Sequence, residues 1–159
     1  MPQATESIIV PVSSAPKRIA MPLLSEILAE VVTSGATESN NLAILGLVQN
    51  FRQGSKLPRI VTTNIEHASV LETCRHLEKT NQAKVTYVKV EESGIVDPRE
   101  IKKALKPDTV LVSVMYANNE IGTIQNISEI GEIAQENNIV FHTDACQAYL
   151  LNLDVKKLN

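Results

Sequence analysis

The spacing of apolar positions changes several times along the chain, and each change marks an element. Ile19, Leu23, Leu24, Ile27 and Leu28 recur at helical spacing, and Val31-Val32 then read as a short strand before Gly35. A second helix is expected from about Glu38 to Gln49. Beyond the breakers Gly54-Ser55 and Pro58, the β-branched run Arg59 to Thr63 reads as a strand. His67 to Glu78 returns to helical spacing, with Val70, Leu71, Cys74 and Leu77 on one face. Val85 to Val90 is the next strand, and Glu91 to Gly94 a turn. Asp97-Pro98 opens a short helix, with Asp as the cap and Pro at the first helical position. Thr109 to Met115 is apolar on both faces, as a central parallel strand buried between helices should be. Asn126 to Glu129 fits a capping-box start for a helix ending near Asn137-Asn138, and Ile139 to Thr143 is the last strand.

Strands alternating with helices at this period imply βαβ units. The expected fold is a three-layer α/β/α arrangement around a mostly parallel sheet. Such sheets bind ligands beyond the carboxyl ends of their strands. Thr33-Ser34-Gly35 precedes a helix, while Glu66-His67, Asn118-Asn119-Glu120 and Asp144 to Gln147 each follow a strand. All of these clusters should therefore share one edge of the sheet. The stretch Thr33 to Asn41 has the chemistry of a phosphate cradle. A helix start offers unpaired N–H groups and a partial positive charge, Thr37 and Ser39 can add hydroxyls, and Gly35 allows close approach and unusual torsions. A plain helix cap is the competing reading of those residues.

Composition narrows the functional classes. At 159 residues, 43% hydrophobic and 21% charged, the chain is long enough for one globular domain with its own core. A net charge of -3 with scattered Lys and Arg gives no basic face for nucleic acid or for an anionic membrane. Pro11 and Pro16 interrupt the N-terminal apolar stretch, so neither a membrane span nor a signal peptide is expected there. Cys74 and Cys146 lack metal or CxxC spacing, and a reducing, cytoplasmic setting is the default. Residues 1–16 are polar, bear prolines and read as a loose arm, with order beginning near Lys17.

The segments TSGATESNN, EHASVLETCRHLE, MYANNEIGTIQNISEIGEIA and FHTDACQA, in this order, resemble the large domain of cysteine desulfurases. These are pyridoxal 5'-phosphate (PLP) enzymes of the class V aminotransferase group, with fold type I. The resemblance is densest from Val31 onward and extends back to Lys17, so that residues 17–159 are expected to form part of that large domain. It implies removal of sulfur from L-cysteine, leaving L-alanine and an enzyme persulfide for iron-sulfur clusters or thiolated tRNA. It also implies a homodimer that hands sulfur to an acceptor such as an iron-sulfur scaffold protein.

By the same resemblance, Ala36 and Thr37 match the positions that hold the cofactor phosphate. His67 matches the histidine that stacks on the pyridine ring and helps shuttle protons, a catalytic role suited to an imidazole. Asp144 matches the carboxylate that pairs with the pyridine nitrogen. Asn119 and Gln147 match the amides that hydrogen-bond the ring hydroxyl oxygen. Asn118 reads as a turn residue, and Glu120 and Gly122 shape the loop. Cys74, Cys146, His76 and His142 read as structural. The family's cofactor-bound lysine sits in a Ser-Gly-His-Lys context beyond this chain's last residue, and Lys156 and Lys157 lack that context. The sulfur-accepting cysteine, the substrate-gripping arginine and the small domain likewise have no match here. The expectation is a partial large domain, inactive alone. Selenocysteine lyase, another class V enzyme, or a non-catalytic remnant are the alternative readings.

Overall fold

The computed structural model describes residues 31–52 and 56–148. The arm at residues 1–16, the helical pattern at 19–28, Gly54-Ser55, and Lys156 and Lys157 lie outside the described residues. In chain order the elements are α1 (Ala36–Phe51), β1 (Arg59–Thr63), α2 (Ala68–Lys79), β2 (Lys84–Val88), α3 (Pro98–Ala104), β3 (Thr109–Ser113), α4 (Ile127–Glu136) and β4 (Val140–His142). The four strands form one sheet in the order β2-β1-β3-β4, and every pairing is parallel. Crossover helices therefore connect successive strands. From β1 the chain moves to one side through α2. It then crosses back past β1 to place β3 and β4 on the other side, so the order reverses between β1 and β3. That is where an open parallel sheet leaves a crevice beyond its carboxyl ends.

Two apolar clusters separate the layers. Ile60 and Leu111, partners across β1 and β3, pack with Ile44 and Val48 of α1 and with Val70, Cys74 and Leu77 of α2. Val61, Val112 and Phe141, the next register row, pack on the other face with Ile101 of α3 and Ile127, Ile130 and Ala134 of α4. The period of two sends alternate residues to opposite faces. Both faces are covered, which is why these strands read as nearly continuous apolar runs.

Several boundaries differ from the sequence expectation because side chains intercept the backbone. β2 stops at Val88, and the Val90 N–H turns to Asn64 Oδ1 at 3.1 Å. β3 stops at Ser113, and the Met115 N–H is taken by Glu66 Oε1 at 3.0 Å. α1 begins at Ala36 and runs to Phe51, longer at both ends than the apolar spacing indicated. Val31 and Val32 form no strand. They are 61% and 93% exposed, and no described strand lies beside them to supply ladder partners. The caps hold better: Asp97 accepts from the Arg99 N–H at 2.8 Å, with Pro98 at the first helical position. Asn126 accepts from the Glu129 N–H, but the Glu129 carboxylate takes the Asn126 side-chain amide and not its backbone N–H, so the capping box is only half formed.

The amino edge of the sheet is pinned electrostatically. Asp108 accepts from Arg59 at 2.9 Å and from Lys84 at 3.0 Å, joining the starts of β1 and β2 to the turn before β3. No helix among the described residues is long and apolar enough to cross a membrane. Among the described residues Phe141 is the largest fully enclosed side chain, and it belongs to the α3/α4 cluster. Phe141→Ala is expected to cost about 3–5 kcal/mol of stability. Urea denaturation checks this, with a lower midpoint at unchanged slope as the expected result.

Candidate active site at the carboxyl edge of the sheet

The strands change character at their last residues. Along the register, the apolar pair Ile60 and Leu111 gives way to Thr62 and Ser113, and Ser113 is in turn paired with His142. All three polar residues are buried, on the face that carries α1 and α2. His142 Nδ1 lies 2.9 Å from Ser113 Oγ. Burial lowers the His142 imidazole to about 4, with the Asp144 charge opposing, so the ring is neutral at pH 7.

Asp144, two residues past β4, is buried and accepts from two sides. The Cys146 N–H donates to Oδ1 at 3.1 Å and the Asn40 side-chain amide to Oδ2 at 2.8 Å. Burial pushes this carboxyl up, but hydrogen bonds from Cys146 and Asn40 outweigh that and hold it below its ordinary value. Asp144 is thus an ionised carboxylate inside the protein. Asn40 escaped the sequence reading. A signal was present: Asn40, Ile44 and Val48 follow one another at a spacing of four on the buried face of α1, and a polar residue on an apolar stripe requires a partner.

The start of α1 is open. Gly35 occupies the cap position with no side-chain hydrogen bond to the helix, which leaves the first N–H groups, those of Ala36 and Thr37 among them, without an intrahelical partner. Gly35 has an extended backbone at φ 162°, so no left-handed torsion is used there. A Cβ built on it meets nothing within 4 Å. The hydroxyls divide differently from expectation. Thr37 is exposed and lines a cleft, whereas Ser39 is buried and its Oγ lies 2.5 Å from Thr33 Oγ1. Ser39 is therefore not a donor to a ligand. Ser34 is occupied by the Glu38 carboxylate, through its N–H at 2.7 Å and its hydroxyl at 2.6 Å.

His67 caps α2 and is exposed, its Nδ1 accepting from the Ser69 N–H at 3.2 Å. It borders two adjoining clefts. One, of about 450 Å³, lies between α1 and α2 and is lined by Thr37, Asn41, His67, Ser69, Thr73 and His76. The other, of about 430 Å³, includes Asn64, Glu66, Asn118, Asn119 and Glu120. The structure thus brings Thr37 and His67 together, sets His67 beside Asn119, and ties Asp144 to the α1/α2 side through Asn40. Gln147 is the exposed residue of the turn after Asp144, whose Ala145 and Ala148 are buried, and no hydrogen bond joins it to Asp144 or Asn119.

The loop bearing Asn119 is held from both ends. Asn118 Oδ1 accepts from the Glu120 and Ile121 N–H groups, and its amide donates to Ile65 O at 2.9 Å, so Asn118 is the turn residue the sequence indicated. Gly122 has φ +71°, where a side chain would be strained. Gln125 is buried and clamps the neighboring turn, donating to Gly94 O at 2.7 Å and accepting from the Val96 N–H at 2.9 Å. Cys74 is buried, and burial pushes its thiol up to about 12, which makes it a packing group.

Glu66 joins the ends of β1 and β3. Its Oε1 accepts from Thr63 Oγ1 at 2.7 Å and from the Met115 N–H at 3.0 Å, while Oε2 is buried without a partner. Burial raises this carboxyl to about 8, against the pull of those two hydrogen bonds and with the Asp144 charge adding to the rise. The folded chain keeps a proton here that the unfolded chain releases from about 4.5 upward, so stability falls as pH rises toward about 8. His142 has the opposite sense: the unfolded chain binds a proton between about 6.5 and about 4 that the folded chain refuses, so stability falls as pH drops through that window. Glu66→Gln is expected to flatten the alkaline limb and leave the acid limb in place. Denaturation midpoints between about pH 5 and about pH 8 check this, and an unchanged alkaline slope would refute it.

Comparison with known proteins places this arrangement. The chain is 54% identical over 128 residues to the cysteine desulfurase IscS of Methanosarcina thermophila, an alignment covering 80% of this chain and 31% of that protein. It is 48% identical over 149 residues to the cysteine desulfurase IscS of Ehrlichia chaffeensis, covering 93% and 36%. Among solved structures, SspA in complex with cysteine superposes with a TM-score of 0.75 at 40% identity, over 80% of this chain and 36% of that one. The chain therefore spans about a third of the length of the curated relatives it matches. The sheet and its helices are part of a fold type I PLP-enzyme fold. Residues 19–159 match the family model described as aminotransferase class-V, and the chain belongs to that family.

Proposed function

We propose that this chain is the cofactor-holding part of a cysteine desulfurase, which transfers the sulfur of L-cysteine to an enzyme thiol, giving L-alanine and an enzyme persulfide. The observation that carries this reading is the Asp144 carboxylate, ionised although buried, on the same sheet edge as the open start of α1 and the exposed His67. The residues present fit PLP. Its phosphate needs donors and positive potential, which the Ala36 and Thr37 N–H groups supply at a helix start. Its ring nitrogen needs an ionised acceptor, and Asp144 is one. Similarity to cysteine desulfurases supports L-cysteine as the substrate.

When bound, PLP supplies an electron sink for charge left on the substrate carbon. Asp144 would keep the ring nitrogen protonated by remaining charged, which its hydrogen bonds from Cys146 and Asn40 secure. His67 would lie against the ring, offering from the border of the two clefts an imidazole able to hold or pass a proton beside the substrate. Asn119 and Gln147, on the loops after β3 and β4, would offer their amides to the ring hydroxyl. Cys74, buried in the α1/α2 cluster, does not take the sulfur, and Cys146 is read as a packing residue of the turn whose N–H holds Asp144. A homodimer, a cytoplasmic setting and a sulfur-acceptor protein complete the proposal, supported by the family membership alone.

Titration of the chain with PLP, followed by absorbance, tests the cofactor site. Saturable binding is expected. Asp144→Ala is expected to weaken it by about tenfold or more, a loss of about 1.4 kcal/mol or more. Equal affinity in wild type and variant would remove Asp144 from the site. Formation of alanine from L-cysteine by the full-length protein tests the substrate.

A further inference from the structure

Among the buried polar groups at the carboxyl edge, one set forms a continuous path from the exposed imidazole to the buried carboxylate. Asn40, fully enclosed in α1, donates through Nδ2 to Asp144 Oδ2 at 2.8 Å and to Ser69 Oγ at 2.9 Å. Ser69 Oγ lies 2.8 Å from His67 Nδ1, and the Ser69 N–H donates to the same nitrogen at 3.2 Å. We propose that Asn40 and Ser69 are positioning residues that hold His67 as the neutral Nε2–H tautomer and tie its orientation to the Asp144 carboxylate.

Donor counting gives the direction of every bond. An ionised carboxylate only accepts, so the amide nitrogen of Asn40 must face Asp144; turning the amide over would set Oδ1 against a negative charge. The same Nδ2 then supplies the hydrogen received by Ser69 Oγ. A backbone N–H can only donate, so His67 Nδ1 is an acceptor, and the Ser69 hydroxyl hydrogen goes to it as well. Two donors converging on Nδ1 leave no place for a proton there. In the neutral ring the proton is therefore on Nε2.

The cost of this arrangement is visible. Asn40 Oδ1 is buried with no partner, a penalty that an apolar residue at this α1 position would avoid. The return is a fixed ring. His67 would otherwise be an exposed cap free to turn over. Here its Nε2–H is the one ring donor left to face the two clefts it borders. This step rests on the cofactor-site reading: the first hydrogen bond His67 makes to an anionic group in that site is donated from Nε2. A proton added to the neutral ring goes to Nδ1 and breaks the α2 cap.

The tautomer can be read directly from long-range nitrogen-proton NMR spectra of the whole chain labelled with 15N-histidine, above the titration of the rings. The chain has only three histidines, and His67→Gln assigns the signal. The expected result is a His67 spectrum with Nδ1 unprotonated and Nε2 protonated. Ser69→Ala should raise the Nδ1–H fraction by roughly threefold or more, the equivalent of one modest hydrogen bond. Asn40→Leu should move it the same way by a smaller factor, and Ser69→Thr should restore the wild-type pattern. A purely structural role would leave the tautomer ratio unchanged in Ser69→Ala, and that result would overturn the proposal. A wild-type ring protonated on Nδ1, or evenly mixed, would overturn it without any variant, so a variant that fails to fold does not protect it. The spectra are recorded without PLP. Failure of the cofactor site would show in the titration alone, and failure of the positioning role in the spectra alone.

Discussion

A carboxylate kept charged inside the protein dictates much of what surrounds it. An ionised group removed from water needs donors aimed at it. Asp144 obtains them from the Cys146 N–H, which requires the tight turn after β4, and from Asn40, which requires a polar side chain on the buried stripe of α1. Asp144 also acts on its neighbors. Its charge adds to the burial that raises the Glu66 carboxyl, so the two acids of this edge divide into one charged and one protonated group. That division lets Glu66 serve as a neutral staple between the ends of β1 and β3.

The parallel sheet delivers these residues to one place. Because β1, β3 and β4 all run the same way, whatever follows each strand emerges on the same edge: His67 after β1, Asn119 after β3, Asp144 after β4. The change from Ile60 and Leu111 to Thr62 and Ser113 lies within the strands themselves, so the polar floor of the site is part of the sheet and not an added loop. Side chains on regular elements are held more rigidly than side chains on loops. Of the candidate residues, His67 sits directly at an element end and Asp144 two residues past one, while Asn119 depends on Asn118 and Gln125 to fix its loop.

Much of the fold was legible because local and global signals agree. The β-branched run at Arg59 to Thr63, the Asp97-Pro98 cap and the helical spacing after His67 each name one element, and the alternation of strand and helix admits few topologies. What was not legible depended on partners distant in sequence. Nothing local ends β3 at Ser113; the reason is a glutamate 49 positions away that takes the Met115 N–H. Ser39 reads as a ligand donor until Thr33 is seen to occupy it. Val31-Val32 has strand composition, but a strand exists only with a neighbor to pair with. Asn40 was visible as a polar residue on an apolar stripe, yet its partner is 104 positions away.

The buried polar atoms that lack partners show where stability has been yielded. Among the described residues they are Asn40 Oδ1, Thr62 Oγ1, Glu66 Oε2, His142 Nε2 and Thr143 Oγ1, and every one lies toward the carboxyl edge or near the start of α1 beside it. The amino edge contrasts with this, for there Asp108 collects Arg59 and Lys84, and the buried Thr109 hydroxyl accepts from the Lys106 N–H. Each orphan removes a share of the folding free energy that a better-matched side chain would keep. A chain shaped only by stability would spread such defects or replace them with apolar residues. Their confinement to the edge where the parallel strands end is therefore a second, independent indication of the site. It comes from the energetics of burial, and it agrees with the one drawn from the placement of Asp144 and His67.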